Sequence, residues 1–84
     1  MNSFTSGRIA EVNVAEQYIV TMRGSNFNSA IRFNIAPETI IINRFNRRIP
    51  LSRLEPASRV HIRHANFMTM SIPPQTTAFV IRVE

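Results

Sequence analysis

The sequence predicts an all-β domain, a small five- or six-stranded antiparallel barrel. Valine, isoleucine, threonine and phenylalanine recur in short runs that alternate with polar residues, glycine, asparagine, proline and serine separate those runs, and no stretch keeps apolar residues at helical spacing for three turns. The 84 residues make a single domain, 1–84, and a chain of this size buries only roughly 60% of the surface its unfolded form exposes. Closing the sheet on itself is the least costly way for so short a chain to hide its strand edges.

The first strand is read over 7–14, GRIAEVNV, with Ala10, Val12 and Val14 on one face. After a tight AEQ connection, YIVTMR at 18–23 returns with Tyr18, Val20 and Met22 on one face. GSNFNS supplies turn chemistry, because glycine, asparagine and serine tolerate or locally hydrogen-bond turn conformations. AIRFNI at 30–35 alternates cleanly, with Ile31, Phe33 and Ile35 inward and Arg32 and Asn34 outward, and Pro37 is read as its end. TIIIN at 39–43 is a further short strand, and RFNRR at 44–48 is a basic hairpin tip. PLSRLEP allows at most one helical turn between two prolines. RVHIRHA at 59–65 and TAFVIRV at 77–83 complete the set, the last with Phe79, Ile81 and Val83 on a shared face. Three strands, a connection with one helical turn and two more strands suit an oligonucleotide/oligosaccharide-binding (OB) type barrel, with an SH3-like barrel as the alternative. On the OB reading, residues 65–76 form the loop between the last two strands, beside the face such folds use.

Ten arginines stand against five glutamates, with no lysine, aspartate or cysteine, for a net charge of +5. The balance favours anionic partners in general; the expected partner is an anionic polymer, nucleic acid or envelope polymer, or a protein. Without cysteine, neither a disulfide framework nor a thiolate metal site can form. The apolar runs fall far short of the about 20 residues a membrane-crossing helix needs, and MNSFTSGR has no signal-peptide pattern. A soluble domain is expected, cytoplasmic by default or part of an envelope protein.

TIII, IPLSRL and RVHIRHANFMTMSIPPQTTAFVIRV together resemble a family of small, uncharacterised β-barrel proteins of Firmicutes-type bacteria. Its features are a strand ending in histidine, a Met-Thr pair, Ser-Ile-Pro-Pro-Gln and a closing strand, matched here by His64, Met68, Thr69, Ser71, Ile72, Pro73, Pro74 and Gln75. The likeness covers roughly the C-terminal half; it implies a barrel, sometimes envelope-associated, and brings no activity with it. A second, local similarity is to small periplasmic copper/silver chaperones, OB-type barrels that bind Cu(I) through one histidine and two methionines beside an aromatic, around a Met-Thr-Met segment. Met68, Thr69 and Met70 match that tripeptide, with His64 and Phe67 as companions. The segment stands near the chain's end instead of mid-barrel, and phenylalanine stands where those proteins carry tryptophan.

Thioether and imidazole ligands suit Cu(I), so His64, Met68 and Met70 make a chemically sensible trigonal set. The three even numbers share strand parity with Val60, Ile62 and Ile72, and that parity equally predicts core packing, for which methionine is well suited. His61 and His64 differ by an odd offset and fall on opposite strand faces. For an anionic ligand the candidates are Arg32, Arg59, His61, Arg63 and Arg82, read as outward on neighbouring strands, together with Arg44, Phe45, Arg47 and Arg48 at the hairpin tip and Phe67 in the loop. Arginines for phosphates and exposed aromatics for bases are the parts a single-strand nucleic-acid site needs.

Catalysis is not expected. Asp, Cys and Lys are absent, the glutamates are scattered, and two glycines make no phosphate-cradling motif. No cofactor is implied. The leading expectation is a non-enzymatic barrel module that docks its partner through the 65–76 loop and the adjacent arginine face, with single-stranded nucleic acid and Cu(I)/Ag(I) handling as the alternatives.

Overall fold

A computed structural model describes residues 2–84. Five strands, β1 (Asn2–Asn13), β2 (Tyr18–Arg23), β3 (Asn26–Ile42), β4 (Arg59–Ala65) and β5 (Gln75–Val83), form a closed barrel. The order around the barrel is β1-β2-β3-β5-β4, closed by β4 against β1, and only β3 and β5 run parallel. A single 3₁₀ turn, Leu51–Arg53, lies between β3 and β4. This is the OB-type arrangement, and the SH3-like alternative is not realised. Among the described residues no helix is long and apolar enough to cross a membrane.

The core runs through the barrel axis. Phe33, Ile19, Val60, Ile62 and Ile81 are almost completely buried, and Leu51 of the 3₁₀ turn and Leu54 just after it pack against them. Burying a side chain of this size contributes about 1.5–3 kcal/mol.

Three departures from the sequence reading have identifiable causes. The first concerns β1. It begins five residues earlier than the strand read over 7–14, and a bulge between Ile9 and Glu11 inserts Ala10 as an extra residue. A bulge reverses side-chain parity, so Ile9 faces in before it and Val12 packs against the core after it, while Ala10 and Val14 are exposed. On β2 the inward residues are Ile19 and Thr21; Tyr18, Val20 and Met22 share the opposite, outer face.

The second departure is at Pro37, which does not end a strand. The two predicted segments are one 17-residue β3, bent where the β3–β5 register shifts between Ile35 and Ile40. Proline is tolerated there because the ladder is already interrupted. Thr39 holds the bend: buried, it accepts from the Ala36 N–H at 2.9 Å and donates to the Ala78 carbonyl at 2.7 Å.

The third lies in the C-terminal half. Opposite Arg63 and His64, β5 carries a bulge at Phe79, so Thr76 and Ala78 face inward before it and Ile81 after it, and Phe79 is only partly buried. Residues 66–74 form a loop, not a continued strand. Met68, Met70 and Ile72 therefore leave the parity of Val60 and Ile62, and all three are exposed, Met70 and Ile72 wholly so. The Ile72–Pro73 peptide is cis.

Candidate functional site

β4 alternates without irregularity from Arg59 to His64, putting Val60, Ile62 and His64 inside and Arg59, His61 and Arg63 outside. Register extends that outer row sideways. Against β1 it pairs Arg59 with Arg8, His61 with Ser6 and Arg63 with Phe4; against β5 it pairs His61 with Arg82 and Arg63 with Val80. The result is one face across β1, β4 and β5 carrying Arg8, Arg59, Arg63 and Arg82 around a central His61.

Two like charges, Arg8 and Arg59, stand directly opposite across strands, an arrangement that destabilises a sheet. Arg8 is steadied by the Ala57 carbonyl, 3.1 Å from Nη1. One carboxylate joins the face: Glu84 Oε2 lies 3.0 Å from His61 Nε2. That oxygen can only accept, so Nε2–H donates, and Nδ1 meets the Ser6 hydroxyl at 2.7 Å. A shallow depression of about 210 Å³, lined by Phe4, His61, Ile62, Arg63, Val80 and Arg82, marks the middle of the face.

The hairpin tip adjoins this face. Asn43 Oδ1 accepts from the backbone N–H of Phe45 and Arg47, Asn43 N–H donates to the Arg47 carbonyl, and Asn46 takes a left-handed φ of 62°. Arg44, Phe45, Arg47 and Arg48 are all exposed, with the Arg44 guanidinium 5.0 Å from the centre of the Phe45 ring. Arg82 Nη1 donates to Asn46 Oδ1 at 2.6 Å and so ties the tip to the arginine face.

Arg32 is not on that face. Its β5 partner is Gln75, whereas Arg82 lies at the far end of the same strand. Arg32 is half-buried, with its guanidinium 3.7 Å from the centre of the Tyr18 ring and Nε donating to Asn34 Oδ1 at 3.0 Å. The Tyr18 hydroxyl donates to Glu11 at 2.9 Å. This cluster occupies the outer surface of β2 and β3.

The predicted metal trio does not converge on one face. His64 is 2% exposed, with Nδ1 2.7 Å from the Ala65 carbonyl, Nε2 2.8 Å from the Thr5 hydroxyl and its ring edge-on to Phe33. Met68 and Met70 lie on the exposed loop with Phe67. His61 and His64 do fall on opposite faces. Among the described residues no three histidine, cysteine, aspartate or glutamate side chains gather as a metal site.

Phe4, Ser6 and Arg8 belong to the candidate face and were not singled out in the sequence. The sequence gives them little signal, because Phe4 and Ile9, the two large apolar residues between Ser3 and Ile9, have opposite parity; it is the burial pattern of β1 that puts Phe4, Ser6 and Arg8 together on the outer side. Phe4, 77% exposed, is the aromatic nearest the arginine row in register.

No protein-family model and no curated protein matches the sequence. Among solved structures the chain is similar to one described as the crystal structure of Ag(I)CusF, with a TM-score of 0.67 at 12% identity, over 100% of this chain and 99% of that one. At that identity the likeness establishes a shared barrel architecture over the whole length of both chains.

Proposed function

We propose that this protein is a non-enzymatic binding module that holds an anionic chain, single-stranded nucleic acid in the first instance, across the outer face of β1, β4 and β5. The observation that carries this reading is the in-register gathering of Arg8, Arg59, Arg63 and Arg82 around His61, with Glu84 as the one carboxylate among them. Folding alone gives no reason to set Arg8 opposite Arg59; an anion laid between them offsets the repulsion. Phe4 at one end of the row and Phe45 on the tip joined through Asn46 at the other are exposed rings on which bases can stack. The non-enzymatic reading is supported by the dispersal of the glutamates: Glu11 is engaged by Tyr18 and Glu84 by His61, on different surfaces.

Fluorescence anisotropy with a labelled oligothymidylate across a salt series tests this. Affinity should fall with salt, with a log–log slope of about −0.7 per phosphate neutralised. Arg63→Glu and Arg82→Glu should each flatten that slope, and Phe4→Ala should weaken binding by about 1–3 kcal/mol if a base stacks there. Binding that ignores both salt and the two charge reversals would exclude this face. Polyglutamate competing as well as the oligonucleotide would reassign the ligand to anionic polymers without bases.

A second reading, soft-metal binding, is favoured by the barrel likeness to Ag(I)CusF and by the two exposed thioethers of Met68 and Met70. The engagement of both His64 ring nitrogens counts against the full trio. Titration with Ag(I) while observing the methionine methyl resonances decides it: unmoved methyls at Met68 and Met70 end the proposal.

A further inference from the structure

The N-terminal half of β1 keeps one edge unpaired. Residues Asn2–Arg8 pair with β4, whereas β1 meets β2 only from Arg8 onward, since β2 ends at Arg23 and its turn leads away into β3. Ile9 sends both backbone groups toward the β4 side, its N–H to the Ser58 carbonyl at 2.9 Å and its carbonyl to the Ala57 N–H at 2.7 Å. Residues of an antiparallel strand serve its two edges alternately. Ser3, Thr5 and Gly7 therefore serve β4, and Phe4 and Ser6 direct N–H and C=O to the open side.

That side is a groove of about 440 Å³ between Phe4–Ser6 and the end of β2 with the start of β3, bounded also by Met68 and Pro74 of the 66–74 loop. It lies in the track β2 would follow if it continued. Proteins blunt exposed edges with charged residues, proline or bulges, but Asn2, Ser3, Phe4, Thr5 and Ser6 include no charged residue and no proline, and the β1–β4 register there is unbroken.

We propose that this open edge at Phe4 and Ser6 accepts an extended acidic peptide segment of a partner protein as an added strand. Main-chain bonds supply the pairing, and Phe4, Met68 and Ile31 offer apolar contacts to alternate side chains of the guest. Charge selects an acidic guest: Arg23 lines the groove, Arg63 stands beside Phe4, and none of the five glutamates borders it. The same argument disfavours a second copy of this chain, which brings a net charge of +5 of its own. The proposal shares Phe4, Ser6 and Arg63 with the arginine-face reading, but its pairing rests on main-chain groups and its test reads individual amides, so the two can fail separately.

Amide hydrogen exchange by NMR, with and without a blocked hexapeptide of alternating glutamate and valine, tests it. In the free protein Phe4 and Ser6 amides should exchange rapidly while Thr5 and Gly7 should be protected. The peptide should slow Phe4 and Ser6 by about tenfold or more, and the same peptide N-methylated on its backbone should not. Ser6→Pro removes an N–H only from the open edge; it should abolish the effect at Phe4 while Thr5 and Gly7 stay protected, which shows that the fold persists. If Ser6→Pro unfolds the domain, the N-methylated peptide still decides. The proposal is overturned if Phe4 and Ser6 are unaffected by the peptide, if the N-methylated peptide protects them equally, or if they are protected without peptide in a concentration-dependent manner, the mark of self-pairing.

Discussion

His64 Nε2 and Thr5 Oγ1 lie 2.8 Å apart inside the barrel, joining β4 to the N-terminal half of β1 across 59 positions of sequence. The Ala65 carbonyl, 2.7 Å from Nδ1, can only accept, so Nδ1 carries the hydrogen and Nε2 accepts from the Thr5 hydroxyl. His64 is thus a fully partnered core residue, stacked edge-on against Phe33 at 5.2 Å. His64→Ala should lower the unfolding free energy by about 2–4 kcal/mol, through a cavity and the loss of both ring hydrogen bonds, although the Ala65 carbonyl keeps the Thr76 hydroxyl, 3.2 Å away, as a donor. Thr5→Val should cost about 1–3 kcal/mol, and the two losses should not add, since they share one bond. Urea denaturation measures both; a midpoint unmoved in His64→Ala would contradict the packing described.

Thr39 makes a similar contribution at the β3 bend, where the ladder to β5 is interrupted. Replacing it with valine keeps the shape and removes the hydroxyl, leaving the Ala36 N–H and the Ala78 carbonyl without that partner. Thr39→Val should destabilise by about 1–3 kcal/mol and Thr39→Ser by less, because serine retains the hydroxyl. Equal stability of the valine and serine variants would show that the bend is held by packing alone.

The parts of this fold that were legible in the sequence are those where alternation runs unbroken. β4 was readable residue by residue, and with it Arg59, His61, Arg63 and the opposed histidines. β1 and β5 each contain one bulge, at Ala10 and Phe79, and a single inserted residue moves every later side chain to the other face. Extending β4 parity to Met68 and Met70 predicts core positions for them, but β4 ends at Ala65 and beyond it the pattern has no physical force. The face itself was half visible: the arginines follow from alternation within β4 and β5, but bringing Phe4 and Arg8 beside them, and taking Arg32 away, depends on strand order.

The two glycines are needed for different reasons, and substitution separates them. At Gly7 an ideal Cβ would lie 2.9 Å from the Met22 carbonyl oxygen, where β2 crosses close to β1. Gly7→Ala should cost about 1–3 kcal/mol by forcing two strands apart, and no other side chain should relieve it. Gly24 has φ +61° and open space around its Cβ position. Gly24→Ala should cost about 1–2 kcal/mol, and Gly24→Asn should recover part of it because asparagine tolerates the left-handed region. Thermal unfolding of the three variants checks the contrast; recovery at Gly24 is the outcome on which it depends.

The 66–74 loop carries Phe67, Met68, Met70 and Ile72 into solvent, and their exposure has a measurable consequence for stability. The loop's frame does not depend on them. Thr69 N–H donates to the Gln75 carbonyl at 2.9 Å, Gln75 N–H donates to Thr69 Oγ1 at 3.1 Å, and the Ser71 hydroxyl donates to the Pro73 carbonyl at 2.9 Å. Those bonds come from the polar residues that alternate with the apolar ones, so the apolar side chains stand free of the frame. Met70→Ser and Ile72→Ser should therefore change the unfolding free energy by less than about 0.5 kcal/mol, as substitutions at exposed sites do. Phe33→Ala, at a completely buried ring, should cost about 3–5 kcal/mol in the same denaturation series. A loss above about 1 kcal/mol in either serine variant would place that side chain against the barrel in solution. Ser71→Ala, by contrast, should loosen the loop by removing a bond of its frame, seen as faster amide exchange at Gln75 and unaltered exchange in β4.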